Sequence, residues 1–200
     1  MNNNRVVRLS KDYQEIMALQ ENLGKVIDFK AHLSNQNRLD KYEIEVKIRS
    51  LKKGGSKPQG IDMPVHFSIK LPDTYPDKPP KCLLHKQDSN KLFHPHLKAA
   101  FMLNGLIWLN PFYDPDKGLA HYVSNLIKSL QYNTGFIDEQ AKECNKQAME
   151  WYIQEKRRNP SRFPIDKTPL TAIKAFNIKD QSQNNKKVNI VKTGQLSNTS

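Results

Sequence analysis

Apolar and polar residues alternate, or cluster in β-rich runs, in three successive stretches: "KVIDFKAHL" (25–33), "YEIEVKIRSL" (42–51) and "DMPVHFSIKL" (62–71). A period of two sends apolar side chains to one face and predicts half-buried strands. Between the second and third, "LKKGGSKPQG" (51–60) reads as a loop, and a fourth run, "KCLLHK" (81–86), follows "YPDKPP". Ahead of the strands, Leu9, Tyr13, Ile16, Met17 and Leu19 fall near helical spacing, which predicts a helix over 9–22 with Ser10 as its N-cap.

From 119 the period lengthens. Leu119, Val123, Leu126, Ile127 and Leu130 recur at three and four residues, as on the buried face of a helix, and "YNTGF" (132–136) ends the pattern. A second helix is predicted over 138–158, with Ala141, Cys144, Ala148, Trp151 and Tyr152 as its apolar stripe. Lys156, Arg157 and Arg158 suit its C-terminus, and Pro160 and Pro164 stop it. A helix, a four-stranded antiparallel meander and two further helices predict one α+β domain over 1–164. Residues 165–200 read as a basic, polar, mostly disordered tail. Within it, 169–178 is a candidate docking segment, with Ile173 and Phe176 as candidate contacts.

Composition refines this picture. A hydrophobic fraction of 37% in 200 residues, with a mean hydropathy of −0.74, implies a real core plus a sizeable polar segment. The net charge of +12 and pI near 9.6 raise nucleic-acid binding. The lysine-rich loop at 52–57 and Lys186, Lys187 and Lys192 add to that reading. No aromatic residues are interleaved with them and no reading helix is evident, so a solvated lysine-rich surface is the simpler account. Cys82 and Cys144 form no paired motif, which argues against a disulfide framework or zinc finger and for a reducing, cytoplasmic setting. No signal-peptide or membrane-spanning apolar run is seen, so no membrane association is expected. His94 and His96 stand two apart with His85 not far upstream, but no nearby Cys or tight Asp/Glu cluster completes a ligand set, so neither a metal nor another cofactor is expected. Motifs for a serine nucleophile elbow, a phosphate loop or a zinc hydrolase are missing as well.

Three segments carry a resemblance: "KLPDTYPDKPPKCLLHK" (70–86), "LFHPHL" (92–97) and "NGLIWLNP" (104–111), in this order and before two helices. Together they resemble the ubiquitin-conjugating enzyme (UBC) fold over roughly residues 5–163. The family's segments are "YPxxPP", "HPN" and "NGxxCL", the last holding the catalytic cysteine. Trp108 matches that cysteine and His96 matches the asparagine of "HPN". An "HPH" tripeptide is also similar to that of some bacterial and phage-encoded relatives of the fold. The resemblance thus implies a degenerate active-site region of His94, Pro95, His96, Asn104, Gly105 and Trp108, with no catalytic residue. An indole cannot form the thioester that the family's chemistry needs. Trp108 is expected either to turn the former groove into an apolar surface or to seal it into core, the second being the more cautious reading because Trp is mostly buried.

Asp77 stands where many family members carry an apolar ligase-docking residue, and "YDPDKG" (113–118) is loosely similar to the second half of that surface. Asp77, Lys78, Phe112, Tyr113 and Pro115 are accordingly candidate partner-binding residues. The resemblance implies an inactive ubiquitin-conjugating enzyme variant that binds a ubiquitin-like protein, an active conjugating enzyme or an assembly partner. Three alternatives stay open: a structural subunit unrelated to modifiers, an active enzyme using Cys82 or Cys144, and a basic nucleic-acid-associated protein.

Overall fold

Residues 3–23, 26–33, 39–54, 57–98, 106–107, 112–139, 143–167 and 191–192 are described by a computed structural model. Helix α1 (Asn3–Leu23) leads into strands β1 (Ile27–Leu33), β2 (Leu39–Lys52), β3 (Gln59–Lys70) and β4 (Lys81–Leu84). A helical turn α2 (Lys86–Ser89), strand β5 (Leu106–Ile107), helices α3 (Gly118–Leu130) and α4 (Lys146–Arg158), and strand β6 (Val191–Lys192) follow. The sheet order is β5-β4-β3-β2-β1-β6, antiparallel throughout except for β6, which runs parallel to β1. This is the α+β, UBC-like order of elements: an N-terminal helix, an antiparallel meander, a crossover helix and a C-terminal helix.

Alternation makes the sheet one-sided. Tyr42, Ile44, Val46 and Ile48 of β2, Val65, Phe67 and Ile69 of β3, and Cys82 and Leu84 of β4 are all buried. Against them pack Ile16, Leu19 and Leu23 of α1 and Leu119, Val123, Leu126, Ile127 and Leu130 of α3. Pro64 interrupts the β3 pattern without harm. It pairs with Lys47 of β2, and β4 reaches β3 only from Phe67 onward, so the missing N–H faces an open edge. A second cluster, around Leu51, Phe93, Tyr132, Met149, Tyr152 and Phe163, anchors α4.

Several boundaries differ from expectation. α1 starts at Asn3, so Ser10 is an exposed helical residue and no cap. The last helix starts at Lys146 and not at 138, because Asn145 caps it: its side-chain oxygen accepts the Ala148 N–H at 3.1 Å. Cys144 therefore precedes the helix, and Ala141 lies outside the described residues. The four expected strands are present, and two two-residue strands extend the sheet at its edges. The chain just past 164 is bonded to the body: the Ile165 N–H donates to Gln131 and the Asp166 carboxylate accepts the Arg49 N–H at 2.9 Å. The docking segment 169–178, with Ile173 and Phe176, lies outside the described residues.

Candidate functional site

His94, Pro95 and His96 follow Phe93 into the interior, where all three are buried. His94 Nε2 lies 2.8 Å from the Ser129 carbonyl, which only accepts, so Nε2 carries the proton. Nδ1 is then free to accept the His96 N–H, at 3.2 Å. Burial pushes the imidazole down to about 3, and the neighbouring His96 adds to the effect while the Ser129 hydrogen bond opposes it. His94 is thus neutral near pH 7. His96 Nε2 accepts the Asp138 N–H at 2.9 Å, and its ring stacks on Phe112 at 5.8 Å.

The flanking carbonyls are used as well. The Tyr132 hydroxyl donates to Phe93 O, and Asn145 Nδ2 donates to His94 O at 3.2 Å. Tyr132 has φ 60°, a left-handed conformation that costs an ordinary residue about 1–2 kcal/mol. Its ring is fully buried between His94 and Phe163, which holds it there. The tripeptide therefore ties the end of α3, the turn before Asp138 and the cap of α4 to one point. Asn104, Gly105 and Trp108 lie outside the described residues. β5 ends one residue before Trp108, with Ile107 buried opposite Cys82.

The candidate partner residues fall into two groups. Asp77, Lys78 and Pro115 are exposed, whereas Phe112 and Tyr113 are half-buried. Phe112 sits between His96 and Phe136, and its carbonyl accepts from Asn125 at 2.9 Å. The Tyr113 hydroxyl donates to Pro76 O at 2.5 Å, which joins the 72–80 and 113–118 loops.

What brings these loops together is Asp12 of α1, which the sequence reading passed over. Asp12 is completely buried. Its carboxylate accepts the Tyr75 hydroxyl at 2.6 Å, the Leu119 N–H at 3.0 Å and the Arg8 Nε–H at 3.1 Å. Gly118 permits this closeness: its φ is +84°, and a methyl group there would stand 2.8 Å from Asp12 Oδ1. The signal was a carboxylate on an apolar stripe, three residues after Leu9 and four before Ile16.

Both thiols are enclosed. Cys82 has no exposure, and burial pushes its thiol well above the ordinary range. Cys144 is also buried and its thiol is raised for the same reason. His85 stands apart from His94 and His96, on the exposed face of the sheet, where Nε2 meets Glu43 at 3.0 Å. Beside it His66 reaches Asp88 through Nδ1 and Glu45 through Nε2, at 3.0 and 3.2 Å. Among the described residues no group of three or more His, Cys, Asp or Glu is arranged to hold a metal ion. Nor, among them, is any helix long and apolar enough to cross a membrane.

These elements define an α+β protein of UBC-like architecture. No family model matches the sequence, and no curated protein matches it. Among solved structures the chain is similar to S. cerevisiae Ubc12, at 20% identity over 74% of this chain and 68% of that one, with a TM-score of 0.49. It is also similar to human ubiquitin-conjugating enzyme E2 G1, at 16% identity over 61% of this chain and 93% of that one, with a TM-score of 0.41.

Proposed function

We propose that this chain is a non-catalytic UBC-like binding module whose partner is a ubiquitin-like protein, an active conjugating enzyme or a subunit of an assembly. The observation that carries the reading is the state of the cysteines. Between buried Cys82 and buried Cys144 the sequence has no thiol, and burial disfavours the thiolate at both. Conjugation needs a thiolate that is exposed and a good leaving group. Neither cysteine offers one. Asp77, Lys78 and Pro115 form the candidate contact surface, on loops held rigid by Asp12 and by the Tyr113–Pro76 bond. Such loops lose little conformational entropy when a partner docks.

The test is a charging assay with ubiquitin-activating enzyme, ubiquitin and ATP, run beside titration of the labelled chain with free ubiquitin and with a ubiquitin-free conjugating enzyme. The expected result is no reductant-sensitive adduct, with saturable shifts from one of the two proteins centred on 76–78 and 113–117. An adduct that disappears with reductant and in the Cys82→Ser or Cys144→Ser variant would overturn the reading.

A further inference from the structure

The chain that leaves α4 turns back along β2. There the Ile165 N–H donates to the Gln131 carbonyl at 2.8 Å, and the Asp166 carboxylate accepts the Arg49 N–H at 2.9 Å. Between residues 161–167 and the strands β2 and β3 lies an open groove of about 910 Å³. Four cations line it, Lys47, Arg49, Arg162 and Lys167, and they face two carboxylates, Asp62 and Asp166. Most of the remaining lining is apolar, from Met63 and Pro64 on one side and Pro164 and Ile165 on the other.

These cations are not consumed by ion pairs within the protein. Arg49 and Lys167 are exposed, and neither makes an ion pair among the described residues. Arg49 stands opposite Asp62 in register, yet its guanidinium lies beside Gly60, where a Cβ would come within 3.3 Å of Nε and Nη2. The missing side chain leaves the guanidinium that space. The Lys47 side chain is 65% exposed and meets Glu45 only at 3.8 Å. Arg162 is held in position by Glu155 at 2.7 Å and by the Trp151 ring at 5.2 Å.

We propose that this groove receives an acidic, extended peptide segment of a partner protein. Its carboxylates meet Arg49, Lys167 and Lys47, and an apolar side chain meets Met63 and Ile165. A guanidinium fork and two mobile ammonium groups suit carboxylates spaced along an extended chain. Nucleic acid fits less well. Asp62 and Asp166 oppose a continuous run of phosphates, and no aromatic ring is among the described lining residues for bases to stack on. The chain's own remaining residues are also a poor match: 168–200 carry five lysines and a single acidic side chain, Asp180. Like charge works against their entry.

This surface is separate from the one proposed above. The groove adjoins the C-terminal end of α3, where Gln131 binds Ile165, whereas Asp12 holds the loop bearing Asp77 at the N-terminal end. The 13 residues of α3 set the two about 20 Å apart. Either surface can therefore fail without the other.

Titration of the isotope-labelled full chain, followed by amide shifts, tests this. The probes are an acetylated, amidated octapeptide of six acidic residues and two leucines, the same peptide with lysines for the acids, and a twelve-residue oligothymidylate. Saturable shifts at 47–49, 62–63 and 161–167 are expected with the acidic peptide alone. Arg49→Glu with Lys167→Glu should weaken its binding by about tenfold or more, since each reversal turns an attraction into a repulsion. Lys70→Glu with Lys81→Glu changes the net charge equally, but Lys70 lies six residues along β3 from Pro64, about 20 Å away. That variant should bind within about twofold of the parent. All four side chains are exposed, so the fold is expected to be kept in both variants. No shift with the acidic peptide, or an equal loss in the two variants, would overturn the proposal. So would stronger shifts of the same amides by the oligothymidylate, shifts of 168–200 in step with the groove, which would assign it to the chain's own tail, or shifts that follow protein concentration without peptide, which would assign it to a second copy.

Discussion

Replacing Asp12 with Ala removes one buried carboxylate and strands three groups at once. Tyr75 loses an acceptor at 2.6 Å, the Leu119 N–H loses one at 3.0 Å, and the Arg8 guanidinium, 15% exposed, loses its counter-charge. Breaking a buried pair by removing one partner costs about 3–5 kcal/mol, because the remaining charge keeps its desolvation penalty. The hydroxyl and the amide cannot all be rehydrated, since Tyr75 and Leu119 are 2% and 0% exposed. The expected loss is therefore about 4 kcal/mol, or a fall in Tm of about 10 °C for a chain of this length.

Urea unfolding followed by circular dichroism measures the loss, and a cycle with Tyr75→Phe locates it. Tyr75→Phe alone removes one hydrogen bond to a charged acceptor, worth roughly 1.5–3 kcal/mol. In the Asp12→Ala background the same change should cost far less, giving a coupling of about 1 kcal/mol or more. Two results would refute the account: an Asp12→Ala penalty below about 1 kcal/mol, or additivity of the two changes within about 0.5 kcal/mol.

Three further expectations rest on single contacts. Burial holds His94 down to about 3 in the folded protein, against about 6.5 when unfolded, so the unfolded state binds the extra proton between those values. Its contribution is fully present above pH 6.5 and is lost as pH falls, at up to about 1.4 kcal/mol per pH unit; His94→Gln should flatten that limb of a stability–pH curve, and an unchanged limb would reject the assignment. Gly118→Ala should cost about 1–2 kcal/mol from the left-handed backbone alone, with more from the 2.8 Å approach to Asp12, measured as a shift in urea midpoint. Asn145→Ala should lose about 1 kcal/mol of helix capping, whereas Asn145→Asp keeps the cap and loses only the bond to His94 O; equal melting temperatures for the two variants would count against the cap.

Much of this architecture was legible in the sequence, for reasons of period. β2 and β3 alternate cleanly because one face meets the helices and the other meets water, and α3 repeats at three and four because most of it is buried. The errors lie where local chemistry outweighs period. Ser10 resembles a cap, yet "NNRVVRL" before it continues the helix, with Arg5 reaching the Pro72 and Asp73 carbonyls. The stripe of α4 extends back through Cys144 and Ala141, but Asn145 captures the Ala148 N–H and sets the start. β5 and β6 have two residues each, too few for any pattern. Of the candidate site, the tripeptide was recognisable by its letters. Its partners were not: Ser129, Asp138 and Asn145 lie 35 to 51 residues away, and only tertiary contact reveals them.

That contact pattern separates two uses of a buried histidine. An acid–base residue needs a ring nitrogen facing its reactant and a proton affinity near the working pH. His94 has neither, with one nitrogen on Ser129, the other on the His96 N–H, and a ring pushed down to about 3. Its hydrogen bonds instead fix where α3 ends and where α4 begins. Asp12 plays the matching part at the other end of α3, where it binds the first turn and the loop bearing Asp77, which the Tyr113–Pro76 bond joins to the loop bearing Pro115. Polar groups buried in this way contribute geometry more than net stability. The histidine and the carboxylate thus hold the two ends of α3 in place, and the residues left exposed on the loops beside Asp12 are Asp77, Lys78 and Pro115, the contact surface proposed above.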